Sequence, residues 1–229
     1  MQTIGLIGGI TPQSTILYYQ ILNELAEKYV GNSHTAKCII NSVDFGQIHK
    51  LQAEGRWDLL DELMADAGKN LENAGANMIL ICANTMHLTI EAVRNNVSIP
   101  VIHIAEATAE KISAQKLKTI ALLGTKYTME LDFYKEVLTS FGIQTLIPNA
   151  EERKEVHRVI YEELSKGQLK ESSREAYIKI INRLQNEGAE GVILGCTEIP
   201  LLIQQKDVLI PVFDTTTIHA TKAMELAIQ

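Results

Sequence analysis

Short apolar runs alternate with longer stretches of helical periodicity along the whole chain. Thr3-Ile4-Gly5-Leu6-Ile7-Gly8-Gly9 ends in glycines, as a central parallel strand entering a loop does. Thr11-Pro12-Gln13-Ser14 suits a helix start, and Leu17, Ile21, Leu22 and Leu25 then recur on one side of a helix predicted from about 16 to 29. A second strand is predicted over Lys37 to Val43, and the segment from Gln47 to Trp57 reads as irregular. Leu60, Leu63, Ala67 and Leu71 place a helix over about 59 to 73, ahead of a strand from Met78 to Cys82. The turn Asn84-Thr85-Met86-His87 leads into a helix to about Asn95, and Pro100-Val101-Ile102 is a further short strand.

The same order then begins again. Thr119-Ile120-Ala121-Leu122-Leu123-Gly124-Thr125 repeats the first apolar run, with Tyr134 opposite Tyr18, and Ile210-Pro211-Val212 repeats Ile99-Pro100-Val101. Leu71-Glu72-Asn73-Ala74-Gly75-Ala76 lies over Leu184-Gln185-Asn186-Glu187-Gly188-Ala189 without a gap, and this register sets Ala83 opposite Cys196. Helices are predicted near 129–141, 151–165 and 172–187, and a last one from about 216 to 228 that packs back on the first half. Strands alternating with helices of this length imply parallel sheets covered on both faces. The fold class read from this pattern is α/β, with two pseudo-symmetric lobes, each a mostly parallel sheet flanked by helices, and an active site in the cleft between them. The expected division is 1–103 plus 212–229 for the first lobe and 104–211 for the second.

Composition narrows the function classes. An apolar share of 46% and a charged share of 21% are ordinary for a soluble globular protein. The net charge of −7, with no basic block, argues against nucleic acid as a partner. No apolar run approaches the roughly 18 residues of a membrane span, and the N-terminus lacks the charged-then-apolar pattern of a signal peptide. Cys38, Cys82 and Cys196 are far apart, with neither disulfide-framework nor metal-ligand spacing. The expectation is a cytoplasmic protein without a metal and without a membrane partner. Gly8-Gly9 lacks the full GxGxxG spacing and no P-loop motif is present, so no nucleotide cofactor is expected.

Ligands of parallel α/β sheets bind beyond the carboxyl ends of the strands. Four polar turns follow strands here, at Gly9–Thr15, Asn84–His87, Gly124–Thr128 and Cys196–Glu198. Their glycines and hydroxyls leave backbone N–H groups free for a carboxylate or phosphate. Cys196, at a strand end and beside a helix start, is expected to have a lowered pKa and to serve as nucleophile or base. Cys38, in an apolar strand, reads as core. His87 and His219 read as groups supporting the site rather than reacting in it.

The runs Ile79-Leu80-Ile81-Cys82-Ala83-Asn84-Thr85-Met86-His87 and Gly195-Cys196-Thr197-Glu198, with the Gly8-Gly9 turn and Phe213-Asp214-Thr215, resemble the signatures of the aspartate/glutamate racemase family. That resemblance covers nearly the whole chain. It implies cofactor-independent racemisation of an amino acid, aspartate or glutamate first among them, by thiol groups acting on the two faces of the α-carbon. It also implies a homodimer. Cys196 matches the second family cysteine, whereas the place of the first, directly before Asn84, is held by Ala83. The second-face partner is therefore open between Cys82, re-aimed by a bulge, another donor such as Thr85, His87 or a bound water, and no donor at all. By the same analogy Gly9, Thr11, Ser14, Asn84, Thr85, Thr125, Thr197 and Glu198 bind the substrate, with Gln52 and Lys166 as candidates for its side-chain carboxylate. A lyase, decarboxylase or isomerase of small dicarboxylates, and an inactive amino-acid-binding relative, are the alternatives.

Overall fold

The computed structural model describes residues 1–229 and divides into two compact units, Met1–Ile104 with Thr216–Gln229, and Ala105–Thr215. The first unit holds β1 (Ile4–Gly8), α1 (Pro12–Val30), β2 (Cys38–Ser42), α2 (Phe45–Ala53), α3 (Trp57–Asn73), β3 (Met78–Ile81), α4 (Ile90–Arg94) and β4 (Val101–Ile102). The second opens with α5 (Ile104–Ala114) and continues through β5 (Thr119–Gly124), α6 (Lys126–Glu130), α7 (Asp132–Ser140), β6 (Gln144–Leu146) and α8 (Ala150–Glu162). It ends with α9 (Glu171–Asn186), β7 (Gly191–Gly195), α10 (Ile199–Leu202) and β8 (Val212–Asp214), after which α11 (Thr215–Ala227) returns to the first unit.

The predicted duplication is present in the topology. The sheets run β2-β1-β3-β4 and β6-β5-β7-β8, and every pairing is parallel. Ile7 pairs with Ile81 in one sheet and Leu123 with Leu194 in the other, so the registers superpose as the sequence repeat requires.

Alternation sorts each strand between two faces. In the first unit Ile7, Ile79 and Ile81 join a core under α2 and α3, which Ala83 borders. Ile4, Leu6, Leu80 and Cys82 point the other way, into a core with Tyr18 and Leu22 of α1 and with Ala220, Ala223 and Met224 of α11. The last helix thus packs where the sequence expected it. In the second unit Ala121, Leu123, Val192 and Leu194 face α8 and α9, and Cys196 borders that same core.

Four sequence expectations change. Residues 45–53 are helical rather than irregular, because the Asp44 carboxylate accepts from the N–H groups of Gly46 and Gln47 and caps the start of α2. The helix expected over 129–141 is two helices, since Leu131 takes an extended conformation with ψ of 156°. The helix expected over 151–165 ends at Glu162, and a 3-10 turn, Leu164–Lys166, follows. Finally, β8 pairs with β7, so the chain leaves the second unit after residue 215 rather than at 212. No helix is long and apolar enough to cross a membrane.

Candidate functional site

Each sheet ends in a cluster of polar turns at its carboxyl edge. In the first unit Gly9 adopts φ +79°, and its N–H donates to the Thr15 hydroxyl at 2.9 Å. A side chain at Gly9 would run into the carbonyl of Val43 at 2.2 Å, so only glycine fits this turn. Thr11 caps α1 by accepting from the Ser14 N–H, and the Ser14 hydroxyl donates to the carbonyl of Cys82. The turn after β1 is thereby tied to the turn after β3. Asn84 is buried and Thr85, at the head of a 3-10 turn, is partly exposed. Gln52 of α2 reaches the same turn, with its Nε2 3.3 Å from the Met86 sulfur.

The first unit places no thiol at this edge. Cys82 is fully buried among Ile4, Leu6 and Tyr18, and burial raises its pKa far above the ordinary thiol range. No bulge re-aims it, because strand alternation continues through the end of β3: Ile81 and Ala83 share one face, and Cys82 takes the other. Ala83 occupies the position equivalent to Cys196.

His87, His103 and His219 gather behind this turn, with ring centroids 4.9 Å apart for His87–His103 and 5.5 Å for His87–His219. The N–H of Ile104 donates to His87 Nε2 at 3.2 Å, so the His87 proton sits on Nδ1, which donates to the carbonyl of Ala83 at 2.8 Å. His219 has the opposite tautomer. Its Nε2 donates to the carbonyl of Ile102 at 2.9 Å, and its Nδ1 accepts from the Tyr18 hydroxyl at 2.8 Å. Burial pushes His87 down to about 4, His219 to about 3 and His103 to about 2, so all three are neutral supports rather than acids at neutral pH.

In the second unit Cys196 follows β7 and is partly exposed, while Thr197 and Glu198 are buried. The Cys196 thiol donates to Glu198 Oε2 at 2.9 Å, and the Thr197 hydroxyl donates to the same oxygen at 2.7 Å. Burial, then the charge of Glu198 and the bond to it, push the thiol well above its ordinary pKa. This reverses the lowered value expected from a helix start. The helix that follows, α10, is only four residues long, so its dipole is slight beside a carboxylate in direct contact. At rest the sulfur is therefore a protonated thiol with its proton directed at a carboxylate.

Thr125 caps α6 by accepting from the Thr128 N–H at 3.3 Å. The sequence reading missed the wall beside Cys196. His157 and Tyr161, four residues apart on one face of α8, meet at a tilt of 50° with centroids 4.6 Å apart, and Tyr127 meets His157 edge-on. The Lys126 N–H donates to His157 Nδ1 at 3.3 Å, which ties the Thr125 turn to α8. Burial first of all pushes Tyr161 up to about 12. The i, i+4 spacing was legible, but nothing local indicated which side of α8 faced the strand end. Lys166 is exposed on the 3-10 turn after α8, and that turn packs against α10.

The structure is similar to a crystal structure from Yersinia pestis described as an Asp/Glu racemase candidate, at 45% identity and a TM-score of 0.95 with full coverage of both chains. It is also similar to an aspartate racemase homologue from Pyrococcus horikoshii, at 40% identity and a TM-score of 0.89, again with full coverage of both. The broad specificity amino-acid racemase RacX of Bacillus subtilis is 22% identical over 93% of this chain and 92% of its own. The family model for Asp/Glu/Hydantoin racemases matches residues 7–223. With that match spanning nearly its full length, and with two repeated parallel sheets ending in these turns, the chain belongs to the Asp/Glu/Hydantoin racemase family.

Proposed function

We propose that this protein is a cofactor-independent amino-acid racemase acting on aspartate or glutamate, in which Cys196 takes and returns the α-proton. The observation that carries this reading is the partly exposed thiol 2.9 Å from a buried carboxylate. An α-proton is far less acidic than a thiol, whose reference pKa is about 8.5, so its removal demands a strong base held out of water. A thiolate whose pKa is raised meets that demand once formed. Glu198 is the group placed to receive the thiol proton as the thiolate forms, and the Thr197 hydroxyl steadies the carboxylate in both states. Proton return reverses the path.

The carbanion is stabilised as its carboxylate gains enolate character, which calls for donors fixed before the reaction. Thr125, Thr197, Gly9, Thr11, Ser14, Asn84 and Thr85 are proposed to bind the α-amino and α-carboxylate groups. Gln52 and Lys166 are proposed to bind the side-chain carboxylate.

With Ala83 in the place of a first thiol, proton delivery to the second face falls to Thr85 or a water. Exchange at the α-carbon is then expected to outrun inversion. Incubating single enantiomers of aspartate and glutamate in deuterated water tests this, with exchange followed by mass and inversion by chiral separation. Exchange that exceeds inversion supports the reading, and neither, across a broad amino-acid panel, refutes it. Ala83 favours one second reading, a lyase or decarboxylase of small dicarboxylates, since protonating an enolate on one face needs one thiol. Turnover of malonates or maleate without amino-acid exchange would select it.

A further inference from the structure

Between α8 and α9 the chain turns around a buried carboxylate that the mechanism above does not use. The Glu163 side chain is only 3% exposed, yet it is ringed by donors. Arg158 Nη1 approaches Oε1 at 2.8 Å, Lys170 Nζ approaches it at 3.4 Å, and the Ser173 hydroxyl donates to Oε2 at 2.6 Å. Hydrogen bonds from Ser173 and Arg158 hold its carboxyl down to about 2, so it is ionised. Its backbone carbonyl accepts from the N–H groups of both Lys166 and Gln168 at 3.0 Å. Gly167 closes the turn at φ +70°.

A buried ion set is not the least costly way to close a loop. Apolar residues of similar volume are often as stable or more so, and the better-attested use of such a set is to fix one geometry. The geometry fixed here is that of the Leu164–Lys166 turn, which packs on α10, directly after Cys196, Thr197 and Glu198. Leu164, Ile199 and Leu202 share the core that Cys196 borders. Arg158 and Lys170 are both drawn to Glu163, whereas Lys166 takes part in none of these pairs and projects from the turn.

We propose that Glu163 is a positioning residue that holds the Lys166 ammonium at the Cys196 strand end, and so sets selectivity for acidic over neutral amino acids. The selectivity part rests on the racemase reading, whereas the positioning part does not.

The test compares the full-length protein with Glu163→Gln and with the milder Ser173→Ala. Tryptic cleavage after Lys166 in the native protein, located by mass spectrometry, is expected to accelerate about tenfold in Glu163→Gln and less in Ser173→Ala, as local order is lost. In α-proton exchange, KM for aspartate is expected to rise about tenfold in Glu163→Gln with kcat within twofold, while KM for alanine stays put. In a Lys166→Ala background the Glu163 substitution should add nothing for aspartate. Unchanged cleavage in both variants overturns the positioning. Parallel weakening of aspartate and alanine, or a full effect without Lys166, overturns the selectivity. If the unsubstituted protein exchanges no amino acid at all, the racemase reading falls and selectivity with it, and the cleavage result alone decides the positioning.

Discussion

The two strand ends after β3 and β7 have the same backbone surroundings and opposite chemistry. Both follow the third strand in sequence of a sheet with the same order, and each borders a core under a pair of covering helices, α2 and α3 in one unit and α8 and α9 in the other. One presents the methyl of Ala83, the other the thiol of Cys196 against Glu198. Their supports differ as well. Behind Ala83 sit three neutral histidines, whereas beside Cys196 lies an aromatic wall, and the Glu163 ion set lies at the turn that packs on α10. A duplicated scaffold preserves where a side chain is presented, and each copy's local residues decide what that side chain can do.

The strongest way to break the contrast is to remove the one thiol presented. Cys196→Ala is expected to lower α-proton exchange by about 10²- to 10⁴-fold, the range of a lost acid–base group. Activity near that of the parent would end the assignment.

Next in size is the difference between the units in acid. The folded pKa values of His87, His219 and His103, at about 4, 3 and 2, lie below the unfolded value of about 6.5. The unfolded chain therefore binds more protons in that range. Their stability contribution is full above pH 6.5 and is lost as the pH falls toward 4 and below. For His87 alone that difference corresponds to about 3 kcal/mol. In the second unit the partly buried His157 is the comparable histidine, and the lowered carboxyl of Glu163 loses its contribution only below about pH 4.5. Amide exchange across an acid titration should show the sheet β2-β1-β3-β4 losing protection first, and simultaneous loss in both units would contradict this.

A smaller effect comes from making the ends alike. Ala83→Cys adds a thiol on the face that Ile81 and Ala83 share, and is expected to raise the ratio of inversion to exchange by about tenfold, as one general acid or base can. No change in that ratio would mean that residue 83 is not presented to substrate. The smallest effect is expected from Cys82→Ala, which leaves exchange untouched and costs about 1 kcal/mol of stability through a small cavity. Loss of exchange in a folded Cys82→Ala protein would return Cys82 to the site.

Much of this was legible along the chain. Strand runs, helix faces and the repeat are periodic signals over neighbouring residues, so β1, β3, β5 and β7 and the equivalence of Ala83 with Cys196 could be read directly. Alternation along a strand points Cys82 inward, but only the packing of β3 excludes the bulge that would re-aim it. Helix α2 escaped because its cap, Asp44, lies outside the segment it organises. The break at Leu131 escaped because apolar spacing continues across it. Among the site residues, Gln52 meets Met86 and Ser14 meets Cys82 across gaps of 34 and 68 residues, which no local pattern encodes.

By itself, then, the amino-acid order determined the doubled α/β architecture and the place of Cys196 at a strand end, because both follow from backbone periodicity. Only tertiary packing decided the protonation states. Desolvation and a carboxylate at 2.9 Å made Cys196 a held thiol rather than the thiolate its place beside a helix suggested, and burial kept three histidines neutral. Charge is a property of surroundings, and the burial that sets it is assembled from residues distant in sequence.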